Sequence, residues 1–221
     1  MIALFWDIDG TLLTTARAGV FSLEDALAEV SGVRADLNGM ATAGMTDYSI
    51  AEAALAQVGH ATDEEVVQRF LEVHGRQLPD YLHRREGNVM PGVREILDDL
   101  SGRGGVINLL LTGNTEAGAT AKLAHYGLDG YFRDGGAFCV GPGERSEIAR
   151  RALPLANGSP AYVIGDTPSD VECGKAIEAR TIAVATGSYT AEDLAVSEPW
   201  LVLEGLPEPG EFAALLGLPA L

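Results

Sequence analysis

Two carboxylates two residues apart, Asp7 and Asp9, break an apolar amino-terminal run and are the first residues that could do chemistry. Met1 to Trp6 are all apolar, which predicts a strand covered on both faces, as in a parallel sheet between helices. The pair then falls at the carboxyl end of that strand, where open α/β sheets bind ligands. Two acids so placed repel one another and are costly to desolvate unless a cation or a shared proton balances them. Taken alone, Asp7-Ile8-Asp9-Gly10 also suits an exposed Asp turn or a calcium loop.

Further polar clusters follow later apolar runs. Leu109-Leu110-Leu111 hands over to Thr112-Gly113-Asn114, a hydroxyl and backbone N–H groups ahead of a helix. That pattern reads as a phosphate seat or, more plainly, as a helix cap with a turn glycine. Val163-Ile164-Gly165-Asp166-Thr167-Pro168-Ser169-Asp170 sets two acids four residues apart at another strand end. Magnesium takes oxygen ligands and usually one or two protein carboxylates, so Asp7, Asp166 and a carbonyl of the first loop would suffice. Ser169 or Asp170 could instead cap a helix, a role that leaves Asp166 unexplained.

The elements that must position these groups alternate. Strands are predicted over 106–111, 137–140, 161–164, 181–185 and 200–203, with helices over 116–126, 146–156, 169–178 and 212–216. Pro91 suits the first turn of a helix running to Leu100. Such alternation predicts an α/β fold with a doubly wound parallel sheet. Between Leu13 and about residue 86 the pattern is helical only, which reads as an insertion: 21–30, 47–58 after a capping Thr46, and a third helix opened by a capping box at Thr62-Asp63-Glu64-Glu65 and bent or ended by Pro79.

With 221 residues and 47% hydrophobic content, the chain can build one sizeable core plus an inserted module. Its formal charge of −17 disfavours nucleic acid and anionic membranes as partners. Cys139 and Cys173 form no Cys-x-x-Cys pair, and His60, His74, His83 and His125 have no metal-ligand spacing, so all six read as structural or surface residues. The amino terminus carries no basic segment and its apolar run is short, so neither signal peptide nor membrane span is expected, and a cytoplasmic setting fits.

Asp7-Ile8-Asp9-Gly10-Thr11-Leu12 after an apolar strand resembles the first signature of the haloacid dehalogenase superfamily. The clusters at Thr112 and Asp166 resemble its second and fourth, in the right order over nearly the whole chain. The resemblance implies a Rossmann-like core (1–14 and 87–221) with a small helical cap (15–86), as in the phosphoglycolate phosphatase and β-phosphoglucomutase branch. It implies a magnesium-dependent phosphomonoester hydrolase acting on a small phosphorylated metabolite through an aspartyl phosphate. On that likeness Asp7 is the nucleophile and Asp9 the acid and base; Thr112, Gly113 and Asn114, with Gly10 and Thr11, hold the phosphate. Asp7, Asp9, Asp166 and Asp170 surround the metal, Asp170 through water or from behind. A phosphosugar mutase, or an idle phosphate-binding protein on the same fold, is the alternative.

The third signature departs from the pattern. Where many relatives carry Lys-Pro, this chain reads Gly141-Pro142-Gly143-Glu144-Arg145-Ser146. Arg145 or Lys122, the latter on the helix after Thr112, is expected to supply the cation. In relatives a basic residue often precedes the cap's Thr-Asp pair; here Met45 precedes Thr46-Asp47, which argues against contact with a strongly anionic leaving group. Arg17 is a candidate substrate contact, and Gly19 and Gly87 are candidate hinges.

Overall fold

A computed structural model describes residues 1–220. The first strand, β1 (Ile2–Trp6), is hydrogen-bonded in parallel to β4 (Val106–Thr115) on one side and β6 (Ala161–Gly165) on the other. With β5 (Gly136–Cys139), β7 (Arg180–Val184) and β8 (Leu201–Leu203) they form a six-stranded parallel sheet in the order β5-β4-β1-β6-β7-β8. The chain order reverses at β1, with β4 and β5 on one side and β6, β7 and β8 on the other, so the carboxyl ends of β4, β1 and β6 frame a crevice.

Burial explains why the opening run had to be apolar throughout. Ala3, Leu4, Phe5 and Trp6 are all fully buried, and strand alternation sends them to different layers. Ala3 and Phe5 join Leu109, Val163 and the helices α6 (Arg145–Ala152) and α7 (Pro168–Ala176). Leu4 and Trp6 join Leu110, Ile164 and Ile182 under α4 (Val93–Ser101), α5 (Glu116–His125) and α9 (Pro209–Leu215). Each such side chain contributes roughly 1.5–3 kcal/mol when buried. The Trp6 indole N–H donates to Asn108 Oδ1 at 3.1 Å, satisfying the one polar group this run buries in a side chain.

Between β2 (Leu13–Thr14) and β3 (Asn88–Val89) lie three helices: α1 (Ala18–Ser31), α2 (Asp47–Gln57) and α3 (Glu64–Arg84). The antiparallel β2–β3 pair, two residues long on each side, brings the departing and returning chain together; two residues are too few to show a period, so the sequence did not announce it. Leu23 and Leu27 of α1 pack with Phe70 and Val73 of α3 in the same buried cluster that contains Phe5 and Leu109. This helical layer is therefore packed onto the sheet layer, not merely tethered to it.

Several local expectations are corrected. The α3 cap is Asp63, whose carboxylate accepts from Val66 N; Thr62 does not cap. Pro79 does not end α3, which continues to Arg84 because Leu78 and Leu82, on either side of it, are fully buried with Ala18. The helix expected over 146–156 is α6 followed by a 3₁₀ turn at Leu153–Ala156, and a short α8 (Ala191–Ala195) went unpredicted. Gly19 sits inside α1, where an added Cβ would meet nothing; the positive φ values at this crossing belong to Ala16 and Arg17. Gly87 is needed for close approach, since a Cβ there would lie 2.2 Å from the Thr14 carbonyl oxygen. Among the described residues no helix is long and apolar enough to cross a membrane.

Candidate active site

The turn after β1 is held by its own backbone. Ile8 O accepts from Leu12 N at 2.9 Å and Leu13 N at 3.1 Å, and Gly10 adopts φ +84°. That glycine is required twice over, because a Cβ there would lie 2.3 Å from Asp166 Oδ2. Gly187 cradles the same carboxylate from the other side, with a built Cβ only 1.7 Å from Asp166 Oδ2. Thr11 is fully buried, and its hydroxyl donates to Asp166 Oδ1 at 3.0 Å. Thr11 thus orients an acid from behind the site, and Thr186 holds the loop by donating to Gly10 O at 2.6 Å.

Asp7 after β1 and Asp166 and Asp170 in the passage from β6 to α7 come together, and one ligand oxygen of each lies within 4.8 Å of the others. Arg145, the first residue of α6, reaches into this cluster with its side chain 7% exposed. Its Nη2 lies 3.1 Å from Asp7 Oδ1 and 2.5 Å from Asp170 Oδ1. The other Asp170 oxygen accepts from Thr167 N at 3.0 Å and Thr167 Oγ1 at 2.6 Å, closing a capping box on α7. Asp170 is therefore committed to Arg145 and to its helix, while Asp7 and Asp166 line the cavity.

Burial drives the protonation preferences here. It raises Asp7 above the usual carboxylate range; Arg145 opposes that, and the charges of Asp170 and Asp9 add to it. Asp166 is raised by burial and then by Asp170 and Asp7. Carboxyls pushed upward by desolvation and mutual repulsion are groups a cation would stabilise. The donor set is all oxygen, and two glycines leave room around Asp166, so Asp7 and Asp166 fit a hard divalent cation such as magnesium.

Asp9 turns elsewhere. Its Oδ2 accepts from Lys122 Nζ at 2.5 Å and Asn114 Nδ2 at 2.8 Å, and Lys122 also donates to Asn114 Oδ1 at 2.6 Å. Burial works against the charged form of Asp9, but the Lys122 charge and these hydrogen bonds outweigh it and hold the carboxyl below its usual range. The Asp9 side chain thus stands apart from the three-acid cluster with which it was grouped from sequence. Asn114 Nδ2 also donates to Thr112 Oγ1 at 2.8 Å, and the Asn114 backbone N–H points to the same hydroxyl. Lys122 and Arg145, the two candidates for the cation, are both buried, and each faces a different aspartate.

The helical layer closes the other side of a cavity of about 510 Å³. Its contribution escaped the sequence reading, apart from Met45 and Arg17. Asp47, buried and first in α2, accepts from Thr115 N at 2.7 Å, immediately after Asn114. Gly113 lets the preceding loop come down: a Cβ there would sit 2.3 Å from Met45 O. Gly44, at φ +76°, similarly allows approach to Ser169 and Thr167. His74 of α3, read from sequence as structural or surface, is buried and also lines the cavity. Its Nδ1 lies 2.9 Å from Ser22 Oγ, and burial, helped by Lys122, pushes it down to about 3, so the ring is neutral. Arg17 donates to Asn38 and lies over the Phe21 ring, at the outer rim. Cys139 and Cys173 are buried and free.

A parallel α/β sheet with acids at the ends of β1 and β6, a hydroxyl-amide pair at the end of β4 and helices over the crevice defines a class of hydrolytic fold. The sequence model of the haloacid dehalogenase-like hydrolases matches residues 4–175, and the chain belongs to that family of enzymes. It is 28% identical over 223 residues to "Probable phosphatase IndB" of Dickeya dadantii, covering 97% of this chain and 95% of that one. It is 27% identical to a phosphoglycolate phosphatase of Pseudomonas savastanoi pv. phaseolicola over 92% of this chain and 76% of the relative. The crystal structure of a hydrolase from Pseudomonas syringae shares the fold, with TM-score 0.70 at 19% identity and full coverage of both chains.

Proposed function

We propose that the protein is a magnesium-dependent phosphomonoesterase that acts on a small phosphorylated metabolite through an aspartyl phosphate on Asp7. The observation that carries this is the opposition, across one cavity, of Asp7 beside Arg145 and Asp166 to Thr112, Asn114 and Lys122 around Asp9. A nucleophile, a proton carrier and two cations then flank the position of a phosphoryl group. The relatives named as phosphatases support the same reading.

An Asp7 oxygen attacks phosphorus in line, the bond from phosphorus to the leaving oxygen breaks, and Asp9 donates a proton to that oxygen. Water, deprotonated by Asp9, then attacks the phosphorus of the aspartyl phosphate, releasing inorganic phosphate and restoring Asp7. In the free protein Lys122 keeps Asp9 ionised. A phosphate dianion that competes for Lys122 and adds negative charge beside Asp9 raises its proton affinity, so the acid role begins with substrate binding. Arg145 and Lys122 offset the charge that builds on the phosphoryl oxygens. Magnesium held by Asp7 and Asp166, with Asp170 and Thr11 behind them, would supply further positive charge to the same oxygens. The helices of 15–86, taken as a cap, exclude water from the site.

The test is phosphate release from p-nitrophenyl phosphate and a panel of small phosphomonoesters, with magnesium and with chelator, using Asp7→Asn as control. Metal-dependent release that disappears in Asp7→Asn is expected. Comparable release by the variant would remove the covalent mechanism, and no release by folded, magnesium-supplied protein would overturn the phosphatase reading.

A further inference from the structure

We propose that this site selects phosphate esters whose leaving group is an uncharged alcohol with an apolar body, and that it discriminates against leaving groups bearing a carboxylate or a second phosphate. The inference rests on the phosphatase reading and concerns the half of the cavity facing away from Asp7.

That half is built by the helical layer. Val20 and Leu23 from α1, Ile50 from α2 and Met45 from the loop before it line the wall with hydrocarbon, and Met90 adds to it from the sheet side. Leu23 is 5% and Ile50 6% exposed, so these are packed surfaces of fixed shape. Polar groups interrupt the wall as well: the hydroxyl-bearing Thr14, Thr15 and Thr42, and Asp47 and His74, neither of which offers a positive charge. Asp47 is an acid held by the Thr115 N–H, with Lys122 and Asp9 as its charged neighbours. His74 is neutral, held against Ser22.

The cations are all accounted for elsewhere. Lys122 is bound to Asp9 and Asn114, and Arg145 to Asp7 and Asp170, both on the phosphoryl side. Arg17, the remaining cation lining the cavity, gives its guanidinium to Asn38 and to the Phe21 ring at the rim. Among the described residues, the wall that meets the leaving group therefore holds hydrocarbon, threonine hydroxyls, one carboxylate and one neutral ring, and each cation lining the cavity is already hydrogen-bonded within the protein. A carboxylate pressed against it would lose water, gain at most a neutral hydroxyl as partner and face Asp47. An apolar group there gains burial, and one methylene in a fitted apolar pocket changes kcat/KM by about 10-fold or more.

The experiment compares kcat/KM of the magnesium-supplied protein for three esters: 2-phosphoglycolate, its isosteric amide, and butyl phosphate. The amide is expected to exceed the carboxylate by at least about 10-fold, with butyl phosphate better still. Met45→Arg, which adds a cation to the same wall, is expected to shift the ratio of carboxylate to amide by about 10-fold or more toward the carboxylate. Equal or better hydrolysis of 2-phosphoglycolate by the unmodified protein overturns this inference and leaves the phosphatase reading standing. Absence of release from all three esters while p-nitrophenyl phosphate is hydrolysed overturns this inference alone; absence of release from p-nitrophenyl phosphate as well overturns the phosphatase reading with it. The ratio in the unmodified protein decides the matter even if Met45→Arg fails to fold.

Discussion

Replacing Gly113 with alanine probes how the helical layer aligns the phosphate seat. Gly113 is not among the residues with positive φ, so its backbone tolerates alanine and the objection is purely spatial. The new Cβ would lie 2.3 Å from Met45 O and 3.1 Å from Thr46 Cα, where ordinary contact begins at 3.4 Å. The loop must therefore retreat by roughly 1 Å, a misplacement that can cost about 100-fold in rate. The same retreat stretches the 2.7 Å bond from Thr115 N to Asp47 beyond hydrogen-bonding range. Leaving that buried amide and carboxylate unpaired costs about 1–3 kcal/mol. The assay is kcat/KM on p-nitrophenyl phosphate together with hydrogen exchange of the Thr115 amide, against Gly104→Ala, whose methyl would meet nothing. Unchanged kcat/KM with the Thr115 amide still protected would refute the idea that this docking aligns Thr112 and Asn114.

Two further outcomes follow from the buried charges. Arg145→Ala leaves Asp7 and Asp170 without their cation, and urea unfolding in chelator should show a loss of about 3–5 kcal/mol, partly recovered in Arg145→Lys. Lys122→Ala should cost far less stability, since the Asp9 side chain is 45% exposed and its pairing is screened, and its effect should appear in kcat. His74, at about 3 in the folded chain against 6.5 unfolded, binds fewer protons folded than unfolded between those values. Its contribution is thus present above pH 6.5 and lost as pH falls toward 3. Between pH 7 and pH 5 the unmodified protein should lose about 2 kcal/mol more than His74→Gln in urea unfolding, and equal losses would show that the ring is not buried neutral.

What the sequence determined by itself was set by short-range rules. An unbroken apolar run from Met1 to Trp6 predicts a strand covered on both faces, and acids at its end then fall at the crevice of a parallel sheet. Those rules located Asp7, Asp9, Thr112, Asn114 and Asp166 and ordered the helices and strands that carry them. Tertiary structure alone decided which groups meet. Arg145 and Lys122 looked like alternatives because spacing along the chain carries no direction for a long flexible side chain; the fold sends one to Asp7 and the other to Asp9. Thr11, a phosphate contact on the family resemblance, has its hydroxyl turned by the loop around Gly10 to Asp166. Asp47 stands out in the sequence only as part of the cap's Thr-Asp pair, and His74 carries no motif that marks it out. They reach the cavity because Gly44 and Gly113 let the loop before α2 come into contact with the sheet ends, a consequence of packing between segments some seventy residues apart or more.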